Sequence, residues 1–266
     1  MENVIDEAKH LADSGVKELI VIAQDITRYG MDWDGKPHLA DLLEELCKLD
    51  FHWIRLHYLY PEWIDDRLID LIAREDKIVK YLDIPLQHCN DKILKKMNRR
   101  GDKKYLCALL DKLRERIPGL VLRTSIIAGL PGEGEEEFNE LCEFLREQKM
   151  LRAGVFPYSP EEGTRAAKME RVETDEAVRR AELIVDVQSA IIDEWNEEHQ
   201  GDVMEVLCEG FDGQSMLYTG RSYAESPDID GRIYFSAPRD IMTGEFVPVR
   251  ITGVMDGELT GELAGE

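Results

Sequence analysis

Five times within the first 160 residues an apolar, strand-like run ends in polar residues or glycines, and each time but the last a helix-like segment of ordinary length follows. The runs cover residues 17–25, 52–58, 79–88, 120–129 and 153–159. This rhythm is that of parallel βα units, in which reactive groups gather at the carboxyl ends of the strands. The polar ends are therefore the place to look for a site: Gln24-Asp25, Arg55 to Tyr58, Gln87-His88, Gly129 with the residues after it, and Tyr158-Ser159.

Val4, Ile5, Ala8, Leu11 and Ala12 recur at helical spacing before Gly15, so the chain opens on a helix that leads into the first run. A βα barrel that begins on a helix lacks its first strand. Further helices are expected over 38–49, 61–74 with Pro61 at the first helical position, 91–97, 103–116 and 135–148. From 174 to 198 runs one long amphipathic stretch. After Gly201 the pattern changes to period two in four or five short segments broken by glycines, which predicts a small antiparallel barrel of OB-like type. The expected fold is thus α/β: a partial TIM-like parallel βα barrel with its first strand missing over 1–172, a bridging helix over 173–200, and a small barrel over 201–266.

A length of 266 residues with 43% hydrophobic content allows one large core and a second small one. The formal charge of −22, from 55 acidic against 33 basic residues, works against a polyanionic partner and favours a basic one. Residues 201–266 carry 13 acids, four arginines and no lysine, a net of −9. The basic run Lys92, Lys95, Lys96, Arg99, Arg100, Lys103 and Lys104 reads either as a nucleic-acid contact or, the favoured reading, as a solvated helical face. The five cysteines are scattered, with no CxxC or CxxxCxxC, and read as reduced, apolar fillers. There is no leader-like start and no apolar run of membrane-spanning length, so a cytoplasmic protein is expected.

The segment from Arg123 to Glu133 is a strand that passes through Gly129 and Gly132 into an acid-rich helix start. Two readings stand: exposed amides at Ile127 and Gly129 that meet an adenine edge, or a plain tight βα turn. Gln24, Asp25, Gln87 and His88 could hold the ribose or amino-acid end of a small ligand. Arg55 and Arg123 face either a structural acid such as Asp83 or a ligand carboxylate. A base role for His57 or His88 is a further, weaker reading.

Together, Ala23-Gln24-Asp25, Arg55-Leu56-His57-Tyr58, Ile84-Pro85-Leu86-Gln87-His88, Leu94-Lys95-Lys96-Met97-Asn98-Arg99, Ile127-Ala128-Gly129-Leu130-Pro131-Gly132-Glu133 and Tyr158-Ser159-Pro160 resemble the radical S-adenosylmethionine (SAM) methylthiotransferases, and Gly220-Arg221-Ser222 with Ser226 to Gly231 resembles their TRAM domain. The strings are most similar to the RimO branch, which modifies an aspartate of protein twelve of the small ribosomal subunit; the tRNA-modifying branch is the alternative. The resemblance implies SAM and [4Fe–4S] clusters as cofactors, SAM contacts at Gln24, Asp25, Gln87, His88, Ile127 and Gly129, and Arg55 or Arg123 on the SAM carboxylate. It implies a basic small-subunit ribosomal protein as partner, with nucleic acid disfavoured by the charge, and no membrane. The family's CxxxCxxC is absent, so no residue is assigned as catalytic or as a metal ligand, and the chain alone is expected to be inactive, a recognition module for the ribosomal protein at most.

Overall fold

Runs of β-branched and leucine side chains that are buried on both faces form central strands of parallel sheets, and helices must then cover those faces. The computed structural model, which describes residues 1–265, follows this rule over its first compact unit, Met1–Gln188. The order is α1 (Glu2–Asp13), β1 (Glu18–Val21), α2 (Met31–Asp34), α3 (Leu39–Leu46), β2 (Trp53–Leu56), α4 (Asp66–Arg74), β3 (Ile78–Asp83), α5 (Asp91–Lys96), α6 (Lys103–Arg116), β4 (Val121–Ala128), α7 (Glu135–Glu147), β5 (Arg152–Pro157) and α8 (Thr174–Glu198). The five strands pair in sequence order and all in parallel, with Ile20 beside Arg55, Leu56 beside Leu82, Leu82 beside Leu122 and Ile126 beside Val155. Every residue of β2 is buried, and Leu39, Leu42, Leu43 and Leu46 of α3 are too.

Two local expectations change. The single helix expected over 61–74 is two elements: a 3₁₀ turn at Pro61–Trp63, then α4. Ile64 is extended, and the Asp65 carboxylate accepts the Leu68 amide at 2.8 Å, so the second helix has its own cap. The first strand ends at Val21, and Gln24-Asp25 belong to the turn that follows it.

The second unit, Ser189–Glu266, contains the last turns of α8 and a closed barrel of β6 (Val203–Asp212), β7 (Leu217–Arg221), β8 (Ile233–Ser236), β9 (Phe246–Met255) and β10 (Glu258–Leu263), in the order β10-β8-β7-β6-β9. Its core is built from Val206, Phe235, Val247, Val249 and their neighbours, with Trp195 against it. The barrel expected to be antiparallel has one parallel pair, β8 with β10. The reason is parity: around a closed ring of five strands, direction cannot alternate throughout. Among the described residues no helix is long and apolar enough to cross a membrane.

Candidate functional site

Three neighbouring strands end on residues with left-handed backbone. Tyr58 after β2 has φ 59°, Gln87 after β3 has φ 69°, and Gly129 after β4 has φ 80°. Such residues cost on the order of 1–2 kcal/mol each unless they are glycine, and they persist only where the surroundings hold them. Here buried ion pairs do so.

Asp83, at the end of β3 and fully buried, is the first anchor. Its carboxylate accepts the Arg123 Nη1 at 2.9 Å and the Tyr58 amide at 3.3 Å, and lies 3.5 Å from His57 Nδ1. Burial pushes this carboxyl up, but the His57 contact and the Arg123 guanidinium outweigh it, so the group stays below its ordinary range. Arg55, also fully buried, donates from Nε to Glu18 Oε1 at 2.7 Å and lies over the Tyr81 ring at 4.7 Å. Of the two partners the sequence left open for these arginines, the structure supplies structural acids for both.

Glu133, just past the glycine turn, is the second anchor. Its Oε1 accepts the Gly129 amide at 3.0 Å and Arg180 Nη1 of α8 at 2.9 Å, while its Oε2 is 3.3 Å from His88 Nε2. His88 Nδ1 accepts the Asn90 amide at 3.0 Å, which leaves the proton of a neutral ring on Nε2, toward Glu133. Burial again raises the Glu133 carboxyl, and His88 and Arg180 more than compensate, so it too lies low. His57 and His88 therefore face carboxylates inside the protein, where neither is placed as a solvent-facing base.

The glycine turn corrects one expectation. Neither amide expected to be exposed is free: Ile127 N–H bonds to the Gln87 carbonyl at 3.0 Å, and Gly129 N–H bonds to Glu133. The glycine itself is required by packing, since a Cβ on Gly129 would stand 2.5 Å from Ala177 Cβ. The turn is shaped to receive α8 and has no bare backbone shelf on that side.

Glu133 Oε2 and His88 Nε2 face each other at 3.3 Å without hydrogen-bond geometry, and further polar atoms are left over elsewhere. Gln24 is exposed. Asp25 caps the 3₁₀ turn Ile26–Arg28, its Oδ1 accepting the Thr27 amide at 3.0 Å and the Thr27 hydroxyl, while its Oδ2 is buried with no hydrogen-bond partner. The Tyr158 hydroxyl, after β5, is likewise buried and unpartnered. Gln87 is partly exposed. Sequence reasoning missed Arg180 and the role of Glu133: an arginine on the polar side of an amphipathic helix carries no sign that it turns inward.

The thiols do not fit an iron–sulfur cluster. Cys89, Cys142 and Cys208 are buried and Cys47 and Cys107 half-buried, all free. Burial pushes Cys47 up to about 11 and raises Cys89 further, the opposite of what thiolate ligands need. Among the described residues no group of three or more His, Cys, Asp or Glu side chains is placed to hold a metal.

Profiles of two known domains match the chain: the Radical SAM superfamily over residues 1–145 and the TRAM domain over 201–264. Proteins described as ribosomal protein uS12 methylthiotransferase RimO are 44% identical over 268 residues in Acetivibrio thermocellus and 48% identical over 266 residues in Pelotomaculum thermopropionicum. These alignments take in 100% and 98% of this chain but 59% and 60% of those relatives, so the chain spans about three-fifths of their length. Among solved structures, coproporphyrinogen III oxidase (HemN) from Escherichia coli, described as a radical SAM enzyme, shares the fold with a TM-score of 0.55 at 16% identity, over 84% of this chain and 59% of that one. The parallel βα sheet, and above all a superfamily profile over more than half the residues, make this chain a member of the radical SAM superfamily.

Proposed function

We propose that this chain forms the greater part of a RimO-type methylthiotransferase, an enzyme that places a methylthio group on the β-carbon of an aspartate in ribosomal protein uS12. The observation that carries this reading is the unbroken similarity, at 44–48% identity along essentially the whole chain, to proteins that bear that name. Radical SAM and TRAM matches in the same order support it.

SAM, when bound, would supply the reactive adenosyl group. Its donors, ribose hydroxyls and an ammonium, suit the unpartnered Asp25 Oδ2, with Gln24 and Gln87 as the other polar side chains at strand ends. Ile127 contributes its half-buried side chain. Gly129, His88, Arg55 and Arg123 act as positioning residues through the carboxylates they meet. Because the thiols do not fit the [4Fe–4S] clusters of the family, no step through a cluster is assigned, and the isolated chain is proposed to be catalytically silent.

The partner is proposed to be the basic ribosomal protein rather than tRNA, since a terminal barrel of net −9 attracts the former and repels the latter. Such an enzyme works in the cytoplasm, with its thiols reduced. A chimera tests the whole reading: the matching three-fifths of the Acetivibrio thermocellus relative is exchanged for this chain, and uS12 and bulk tRNA are analysed by mass spectrometry. A methylthio group on a uS12 aspartate is expected. Modification of tRNA instead, or a folded chimera active on neither, overturns the proposal.

A further inference from the structure

Several surface cations of the first unit are paired with carboxylates: Lys9 with Asp6, Lys48 with Glu45, Arg67 with Asp41 and Glu44, Arg116 with Asp66 and Asp70. Within the basic run the same holds for Lys92, 3.0 Å from Glu137, and Lys103, 3.1 Å from Glu140. The other five cations of the run cluster together without such partners. Lys95, Lys96, Arg99, Arg100 and Lys104 make no ion pair among the described residues, although the chain has 55 acids to offer.

Two of the five are nevertheless fixed. The Arg99 guanidinium lies over the Tyr60 ring at 5.0 Å, and that of Arg100 over Trp63 at 5.9 Å. Stacking holds the guanidinium plane without engaging its N–H fork, so charge and donors stay available. Tyr60 and Trp63 belong to the segment after β2, and the Tyr105 hydroxyl of α6 bonds to the Pro61 carbonyl at 2.8 Å, which ties that segment down. Lys96 Nζ covers the backbone of Gly132 in the turn after β4. The cations thus lie along the carboxyl-end rim of β2, β3 and β4, the rim that carries the candidate site.

We infer that this rim is a phosphate-binding surface for RNA, the stacked arginines and the exposed lysines meeting successive phosphates of a strand that passes beside the site. The overall charge of −22 does not forbid this. At physiological ionic strength charges more than about 8 Å away are largely screened, so the acids that count are the local ones, and of these Asp91 and Asp102 accept the Lys103 and Tyr105 amides while Glu137 and Glu140 are taken by Lys92 and Lys103. This inference goes beyond the methylthiotransferase reading and stands or falls apart from it, because it rests on the rim alone.

The test uses the full chain with a fluorescein-labelled single-stranded RNA of mixed sequence, its affinity measured by anisotropy across a salt series. Each phosphate-contacting cation contributes about 0.7 to the slope of log affinity against log salt for a single strand. The variant K95Q/K96Q/R100Q should therefore lower the slope by about 2, and R100Q alone by about 0.7, while K9Q/K48Q, in α1 and after α3, leaves it unchanged. Circular dichroism verifies that each variant is folded. Absence of binding at low salt, or a slope equally affected by the K9Q/K48Q pair, refutes the inference. Displacement of the RNA by poly-glutamate at equal charge refutes it in favour of an acidic protein segment.

Discussion

The packing of Gly129 against Ala177 can be tested by adding one methyl group. In Gly129→Ala the new Cβ would lie 2.5 Å from Ala177 Cβ and 3.1 Å from its Cα, in a residue whose φ is 80°. The left-handed conformation costs alanine about 1–2 kcal/mol, and forcing a methyl into a filled space costs about 1–3 kcal/mol more, so a loss of about 2–5 kcal/mol is expected. Ala177→Gly alone, within α8, should cost about 1 kcal/mol. In the double variant the overlap of the two methyl groups disappears while the close approach to the α8 backbone and the strained φ remain, so recovery should be partial, with a coupling of about 1–2 kcal/mol. Urea unfolding followed by tryptophan fluorescence measures this well, since Trp33, Trp53 and Trp63 all lie in the first unit. Additivity of the two substitutions to within about 0.5 kcal/mol would refute the packing account and return the glycine to a role in ligand contact.

Glu133→Gln keeps the shape of the second anchor but removes the charge between His88 and Arg180, and should cost about 3–5 kcal/mol in the same unfolding assay. Asp83 and Glu133 both sit below their ordinary values when folded, so the unfolded chain binds protons first: stability is full above about pH 4 and declines as pH falls below it, and Glu133→Gln should flatten that acid decline. Arg55→Met removes the guanidinium from Glu18 and should cost about 3–5 kcal/mol, most of it regained in Arg55→Met/Glu18→Gln; equal loss in both variants would show that the guanidinium matters through Tyr81 instead. Asp25→Asn retains the cap oxygen toward Thr27 but changes the unpartnered one, and should weaken SAM binding, read by equilibrium dialysis, by about 10- to 100-fold with little effect on unfolding.

The alternation of apolar runs and helical periods carried the architecture, because burial on both faces of a parallel sheet leaves a continuous apolar signature that one residue more or less does not alter. The strand ends were legible for the same reason: polar residues there interrupt the apolar run. What the sequence could not convey is which polar residues satisfy each other. Arg55 and Arg123 read equally well as ligand contacts or as partners of buried acids, and the choice depended on Glu18 and Asp83, brought to them from 37 and 40 residues away. Arg180 lies 47 residues from Glu133, on a helix whose polar side looks like any solvated face. Direction around the second barrel followed from strand number, which became fixed only once the fifth strand was seen to close the ring.

The buried charges also separate acids that build the site from those left for a ligand. Each structural carboxylate adds a side-chain link between elements: Glu18 links β1 to β2, Asp83 links the ends of β2, β3 and β4, and Glu133 links the turns after β3 and β4 to α8. A buried ion pair contributes little net stability over an apolar substitute, but it is costly to break, so these links restrict motion at the strand ends more than they raise the stability of the fold. Asp25 does not follow this pattern. One of its oxygens caps a local turn two residues away and the other meets nothing, although leaving a buried acceptor unsatisfied costs about 1–3 kcal/mol. In a rim where every other buried carboxylate is engaged with a cation, that cost marks Asp25 as the acid kept for a donor from outside the chain.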